Sequence, residues 1–204
     1  SIGHDQFSHW FNGSTLLLAM LPTWFSCTSC RPQVCEPPVD LPKHARFCGF
    51  CFYDGKPDGY QLPIEVTSFL EQHTDPVLVT LGSGSTRALE YYTVCLKIAK
   101  AQNRPMIFLS KNPANLRFQE EIPAHVLVKD YLPLSEILPS CGGIIHHGGI
   151  GTAAQALRAG IPQIIVPSVY DQFDTAFRIA TLKCGGEIPV DQFTVEEVRS
   201  KMTQ

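Results

Sequence analysis

Residues 143–167 read GIIHHGGIGTAAQALRAGIPQIIVP, which divides into an apolar run, a glycine-rich turn, an alanine-rich stretch and a second apolar run. Short apolar runs rich in isoleucine and valine are typical of buried strands, whereas the alanine-rich stretch at residues 151–159 favours a helix. A strand, a helix and a second strand in this order predict a βαβ unit with two parallel strands.

The same alternation continues along the chain on both sides of this unit. Five short apolar runs are predicted strands: residues 77–81, 105–109, 125–128, 143–146 and 163–167. Helical patterns occupy the gaps at residues 87–102, 151–159 and 171–183. Strands that alternate with helices pair in parallel, and the helices cover both faces of the sheet. The sequence therefore predicts an α/β fold built on a Rossmann-like, doubly wound parallel sheet.

Two of the predicted helices carry apolar side chains at helical spacing, which predicts that these side chains face the sheet. They are Leu89, Tyr92, Leu96 and Ala99 in the first helix, and Phe173, Ala176, Phe177 and Ala180 in the last. Nearer the C-terminus, Thr194 and Glu197 have the spacing of a capping box. This spacing predicts one more helix, which begins after Thr194.

Composition excludes several classes of partner. The chain has 204 residues, 44% of them hydrophobic, and a net charge of -3 from 16 basic and 19 acidic residues. Such a charge gives no electrostatic reason to expect binding to nucleic acid. The longest apolar run near the start, residues 16–21, is too short to cross a bilayer, and no basic segment precedes it. We therefore expect no transmembrane segment and a cytoplasmic protein.

Five of the eight cysteines crowd one stretch of the chain. Cys27 and Cys30, and again Cys48 and Cys51, have zinc-ribbon spacing, although the second pair lies in an apolar run. Reduced, unligated thiols are the favoured interpretation, with a zinc site as the alternative. The remaining three, Cys95, Cys141 and Cys184, lie in apolar segments and are interpreted as small buried hydrophobic residues.

The glycine-rich turn predicts an anion site, because it follows a strand and leads directly into a helix. At a helix N-terminus, backbone N–H groups and the positive end of the helix dipole converge on one point. Thr152 adds a hydroxyl there and His147 adds a further donor, whereas His146 belongs to the strand and is interpreted as structural. The alternative is a tight turn with His147 in the core. A second glycine-rich loop at residues 82–86 favours the anion site.

Known phosphate motifs do not match this turn, and the following strand adds two polar residues. The turn lacks the Gly-Lys-[Ser/Thr] of a P-loop and is shorter than the dinucleotide fingerprint, so ATP hydrolysis and dinucleotide binding are less favoured. Asp171 and Gln172 follow the strand at residues 163–167, where a carboxylate and an amide could bind sugar hydroxyls. Asp171 could alternatively cap the next helix.

At this point a family resemblance becomes specific. HHGGIGTAAQALRAGIPQ, followed by VPSVYDQF, resembles the donor-binding signature of UDP-glycosyltransferases, above all family 1 enzymes that act on sterols and macrolides. The resemblance extends in order over residues 76–190, including LGSGST and DYLPLSEILP. It implies the C-terminal half of a GT-B fold and an inverting hexosyltransferase that moves sugar from UDP-glucose, or a related UDP-sugar, to a small lipophilic hydroxyl acceptor. It implies no cofactor and no metal.

The resemblance also assigns residues to parts of the donor. The diphosphate would be bound by Gly82, Ser83, His147, Gly149, Gly151 and Thr152. Asp171 and Gln172 would contact the sugar. Tyr131 stands where plant relatives carry a tryptophan that stacks on uracil, and Gln155 stands where they carry a glutamate that binds ribose. As an alternative, Tyr131 only packs its loop onto the sheet.

The general base of the family lies in an N-terminal acceptor domain, and no residue of this sequence is assigned to it. We expect residues 1–63 to be the tail of an acceptor half with the interdomain linker, and residues 64–204 to be a donor-binding domain that is incomplete at its C-terminus. Catalysis would then need an acceptor half or a partner subunit, and the chain alone is expected to be inactive. A nucleotide-sugar-binding module and a non-enzymatic partner-binding protein are the alternatives.

Overall fold

The computed structural model describes residues 27–28, 46–47, 50, 52–81 and 87–203. The strands are β1 Cys27–Thr28, β2 Arg46–Phe47, β3 Val77–Thr80, β4 Met106–Leu109, β5 Val126–Lys129, β6 Gly143–His146, β7 Gln163–Ile165 and β8 Gly185–Glu187. The helices are α1 Ile64–Gln72, α2 Ala88–Gln102, α3 Leu134–Ile137, α4 Ile150–Ala159, α5 Gln172–Thr181 and α6 Val195–Met202. Short 3₁₀ turns lie at Pro113–Leu116, Leu138–Ser140 and Val190–Gln192.

Six strands form one parallel sheet in the order β5-β4-β3-β6-β7-β8. Every pairing in this sheet is parallel, which confirms the predicted fold class. The chain first moves outward from β3 to β5, then crosses back to place β6 on the other side of β3. This order has a switch point between β3 and β6, and ligands of doubly wound sheets bind beyond the carboxyl ends of the strands there.

Apolar side chains alternate between two cores, because successive residues of a strand point to opposite faces. Val79 of β3 packs with residues of α2 and α6 on one face. Its neighbour Leu78 packs with residues of α1, α3 and α4 on the other face. Helices on both faces leave the strand ends as the parts of the sheet that a ligand can reach.

The buried face of α5 differs from the prediction. Phe173 and Phe177 are 50% and 68% exposed, whereas Ala176 and Ile179 are buried. The residues of α5 that face the sheet pack against Ala153 and Ile165. This close approach of α5 to α4 and β7 suits small side chains, so the phenylalanines point outward.

For α2 the predicted buried face is mostly confirmed. Tyr92, Leu96 and Ala99 are buried, but Leu89 is 40% exposed.

The elements that were not predicted include β8 and α1, whereas the last helix was predicted. The sheet gains the edge strand β8, and α1 precedes β3 with Val66 and Phe69 buried. Thr194 Oγ1 accepts a hydrogen bond from the Glu197 amide at 3.2 Å, so α6 begins at the predicted cap. Among the described residues, no helix has both the length and the apolar composition of a membrane span.

Candidate functional site

The predicted anion site lies where β3 and β6 end side by side. Thr80 and His146 are register partners, so the loops that follow the two strands leave the sheet at the same place. Residues 82–86 lie outside the described part of the chain, and with them the predicted contacts of Gly82 and Ser83. The site is therefore described from the loop that follows β6.

The turn after β6 depends on one glycine conformation. Gly148 has φ +95, a backbone angle that side chains strongly disfavour. A Cβ atom at this position would lie 2.9 Å from Ile165 Cγ2 and 3.1 Å from the Gln172 carbonyl oxygen. Because this space is filled by β7 and by the start of α5, Gly148 sets the path of the turn between them.

His146 fixes the same turn from inside the protein. The side chain is fully buried, and its Nδ1 accepts a hydrogen bond from the Gly148 amide at 3.1 Å. The proton must then reside on Nε2, which donates to Gln163 Oε1 at 2.9 Å. Gln163 Nε2 in turn donates to the Ala153 carbonyl oxygen at 3.3 Å. This network connects β6, β7 and α4, and its geometry agrees with a structural role for His146.

Burial keeps His146 neutral. It lowers the pKa of the imidazole to about 3, although the hydrogen bond to Gln163 acts in the opposite direction. A neutral ring is required here, because a protonated Nδ1 could not accept the Gly148 amide. The shape of the turn is thus coupled to the protonation state of one buried side chain.

The N-terminus of α4 is open beyond this turn. Gly149 is the N-cap residue and no side chain caps the helix. The first N–H groups of a helix have no partner within the helix, so those of Ile150, Gly151 and Thr152 point toward the loop. A Cβ atom at Gly151 would meet nothing within 4 Å. The Thr152 hydroxyl has no hydrogen-bond partner within residues 52–81 and 87–203.

His147 lies beside this helix terminus, on the opposite side of the strand from His146. The two rings are perpendicular, with centroids 6.4 Å apart. A Cβ atom at Gly149 would come within 2.7 Å of His147 Nε2, so this nitrogen faces the start of α4. His147 Nδ1 is buried and makes no hydrogen bond to the described residues. Nε2 is therefore the ring nitrogen that faces the open helix terminus, and it donates to a ligand there when it carries a proton.

Burial also lowers the pKa of His147, while the nearby Thr80 carbonyl and the Asp171 carboxylate act in the opposite direction. Near neutral pH the ring is therefore a neutral donor rather than a cation. Together with the free amides of α4, it makes a pocket that can bind an anion through dipoles and N–H groups.

Asp171 and Gln172 lie at the mouth of the same site, after β7. Asp171 is the N-cap residue of α5, but its side chain makes no capping hydrogen bond, so it does not serve as the predicted alternative cap. Gln172 Oε1 accepts hydrogen bonds from the Ser168 and Val169 amides at 2.8 and 3.2 Å. These bonds fix the loop, and within residues 52–81 and 87–203 nothing accepts from the Gln172 amide nitrogen, so it can donate to a ligand.

The two predicted nucleoside residues share one neighbour, Asp54. The Tyr131 hydroxyl donates to the Asp54 carbonyl oxygen, and Gln155 Nε2 donates to Asp54 Oδ1 at 2.9 Å. Tyr131 remains 44% exposed, with Lys111 Nζ 5.1 Å from its ring centroid, whereas Gln155 is 6% exposed. Burial, assisted by the Asp54 charge, raises the pKa of the Tyr131 phenol, which therefore stays protonated as a donor.

Sequence reasoning missed three residues around this site. Gln163 is a fully buried polar residue at the start of an apolar strand, and that contrast is a usable signal. Asp54 belongs to residues 1–63, which the sequence assigns to the tail of an acceptor half and the linker. Its partner Gln155 lies 101 positions further along the chain, and nothing in the local pattern indicates this contact. Lys111 likewise carries no signal.

The predicted burial of three cysteines is confirmed for two of them. Cys95 and Cys141 are buried, and burial raises the pKa of each thiol to about 12, whereas Cys184 is only partly buried. The side chains of the cysteines at positions 27, 30, 48 and 51 lie outside the described residues. Within the described ranges, no group of His, Cys, Asp and Glu side chains could hold a metal ion.

Comparison with known proteins shows which family this part of the chain resembles. Residues 105–204 match the C-terminal domain of the family described as erythromycin biosynthesis protein CIII-like. This range contains β4 to β8 and α4, and therefore the turn, the open helix terminus and the Asp171–Gln172 pair.

Individual relatives agree with the family match. An elloramycin glycosyltransferase of Streptomyces olivaceus is 40% identical over 86 residues, which are 42% of this chain and 22% of that protein. A sterol 3-beta-glucosyltransferase of Arabidopsis thaliana is 29% identical over 168 residues, 82% of this chain and 26% of that protein. The crystal structure of the glycosyltransferase VinC in complex with dTDP superposes with a TM-score of 0.68 at 25% identity, covering 84% of this chain and 41% of that one. The chain thus spans about a quarter of the curated relatives.

Proposed function

We propose that the chain is the UDP-sugar-binding half of an inverting hexosyltransferase, because residues 105–204 match the EryCIII-like C-terminal domain and the sheet resembles that of a GT-B glycosyltransferase. One observation carries this proposal. At the switch point between β3 and β6, the uncapped terminus of α4 lies beside His147 Nε2, which would donate to a ligand bound there. This is the arrangement of donors that a diphosphate needs.

The diphosphate would lie against the start of α4. The amides of Ile150, Gly151 and Thr152, the Thr152 hydroxyl and His147 Nε2 would donate to its oxygens, with the predicted contribution of Gly82 and Ser83 from the loop after β3. The hexose would contact the Asp171 carboxylate and the Gln172 amide group. Uracil would stack on Tyr131, and the ribose would lie near Gln155.

In the proposed reaction, the acceptor hydroxyl oxygen attacks the anomeric carbon while the bond from this carbon to the β-phosphate oxygen breaks. UDP leaves with the electron pair, and the acceptor proton passes to a base that we place in the acceptor half. The donors at α4 would stabilise the charge that develops on the leaving diphosphate. Neither a metal ion nor a cofactor is required. The names of the relatives support a small lipophilic acceptor.

Calorimetric titration of the chain with UDP and UDP-glucose tests the proposal. We expect binding of both ligands, and His147→Ala should weaken it about tenfold because a hydrogen bond to a charged oxygen is lost. His73→Ala is the matched control, since His73 ends α1 at the amino end of the sheet. Absence of binding by the unmodified chain would overturn the proposal, and equal losses in both variants would overturn the role of His147.

A second assay distinguishes the enzyme from the nucleotide-sugar-binding module. The chain by itself is expected to bind UDP-glucose without transferring glucose. When an acceptor half from a relative and a lipophilic alcohol are added, UDP should be released, and the rate of its release is measured. Tight donor binding that never leads to turnover with any acceptor half would favour the module.

A further inference from the structure

Residues 52–60, here named the crossing segment, connect α4 with the loop after β5. At one end, the Arg158 guanidinium of α4 lies 4.9 Å from the centroid of the Phe52 ring. At the other end, Lys56 forms an ion pair with Glu136 of α3, and its Nζ is 3.2 Å from Ser135 Oγ. These contacts hold the segment over the side of the site that contains Tyr131 and Gln155.

Asp54 is the residue of the crossing segment that contacts both of these side chains. Its carbonyl oxygen accepts from the Tyr131 hydroxyl, and its Oδ1 accepts from Gln155 Nε2 at 2.9 Å. The second carboxylate oxygen, Oδ2, has no hydrogen-bond partner within residues 52–81 and 87–203, and Asp54 is only partly buried. Asp54 is thus a carboxylate held in place by Gln155 and Tyr131, with one oxygen available for a ligand.

We propose that Asp54 binds the ribose hydroxyls of the donor nucleotide. This inference rests on the proposed function. Ribose presents two adjacent hydroxyl donors, and a carboxylate is the strongest acceptor for them. Gln155 alone offers an amide, and its Nε2 is already committed to Asp54. Asp54 supplies the negative charge, Gln155 orients it, and Tyr131 places the base plane beside it.

The experiment compares UDP with 2′,3′-dideoxy-UDP, which lacks both hydroxyls, by calorimetric titration. The unmodified chain should bind UDP at least about tenfold more tightly than the dideoxy analogue, because charge-assisted hydrogen bonds are lost with the hydroxyls. Asp54→Asn keeps an oxygen for Gln155 but removes the charge. It should weaken UDP binding about tenfold and change binding of the analogue by less than about twofold. Asp58→Asn, an exposed carboxylate of the same segment, is the control and should change neither.

The outcomes separate this inference from the proposed function. Failure of the unmodified chain to bind UDP would overturn the proposed function and, with it, the ribose role. Normal UDP binding that Asp54→Asn leaves unchanged would overturn the ribose role alone. Equal losses for UDP and the dideoxy analogue would also overturn it, because they would show that Asp54 only holds the crossing segment.

Discussion

Acidification should unfold this domain through His146. The imidazole is fully buried, and burial lowers its pKa to about 3. In the unfolded chain the pKa of the same imidazole is about 6.5. Below this pH the unfolded state binds a proton and the folded state does not, so the free energy of unfolding falls as pH falls. The loss of stability begins near the pKa of the unfolded state and ends near the pKa of the folded state.

The magnitude follows from the two pKa values. Each unit of difference corresponds to about 1.4 kcal/mol, so His146 should remove about 2 kcal/mol of stability between pH 7 and pH 5. The loss should approach about 5 kcal/mol near pH 3, which is a large part of the stability of a typical domain. Protonation would also remove the acceptor for the Gly148 amide and so disturb the turn.

Urea unfolding followed by circular dichroism at pH 7, 6 and 5 measures this loss. His146→Asn is the reference, because its side-chain oxygen can accept the Gly148 amide but does not titrate. The variant should be less stable at pH 7, and the unmodified chain should lose about 2 kcal/mol more than the variant between pH 7 and pH 5. NMR titration of the imidazole provides a second reading. Parallel pH profiles, or a His146 resonance that titrates near pH 6.5, would refute the reasoning.

Two further predictions concern the turn and the anion site. Gly148→Ala should destabilise the domain by about 1–3 kcal/mol, because φ is +95 and the new methyl group would lie 2.9 Å from Ile165 Cγ2. Gly151→Ala is the control, because its new methyl group would meet nothing within 4 Å. Urea unfolding should show that this variant is as stable as the unmodified chain or more stable. Equal losses of stability in the two variants would contradict the role given to Gly148 in the turn. UDP-glucose binding should take up a proton, because the diphosphate raises the lowered pKa of His147, so affinity should fall as pH rises through the pKa of the complex. Calorimetry in buffers of different ionisation enthalpy measures this uptake, and His147→Gln should abolish it; uptake that persists in the variant would assign the proton elsewhere.

The central strands could be predicted because their sequence pattern and their burial agree. The apolar runs at β3, β4 and β6 are buried along nearly their whole length, as parallel strands covered on both faces must be. The edge strand β8 has no such signal, because its sequence is Gly-Gly-Glu. A Cβ atom at Gly185 would lie 1.9 Å from the Gln163 carbonyl oxygen, so the close approach of two backbones, which local pattern does not encode, requires the glycine.

In the candidate site, too, some residues could be predicted from the sequence and others could not. His147, Gly149, Gly151 and Thr152 are adjacent in sequence, so a strand-turn-helix prediction brings them together without knowledge of the fold. Asp54 reaches the site from a distant part of the chain, and its position depends on how the crossing segment packs over Tyr131. The prediction of which face of α5 is buried was wrong for a related reason. Periodicity identifies the row that contains Phe173 and Phe177, but the space between α4 and α5 decides which row is buried.

The two neighbouring histidines show how one strand end can combine rigidity with ligand binding. Because adjacent residues of a strand point to opposite faces, His146 reaches the interior while His147 faces the open terminus of α4. In the protein without ligand, burial lowers the pKa of both rings, so neither adds a positive charge at neutral pH. None of the predicted diphosphate residues is a lysine or an arginine. A donor site of this kind would stabilise the leaving diphosphate through oriented dipoles, which a turn fixed from inside by His146 keeps in place. The one positive charge in the site would be the proton that His147 gains when the diphosphate binds, and it would be lost again when UDP leaves.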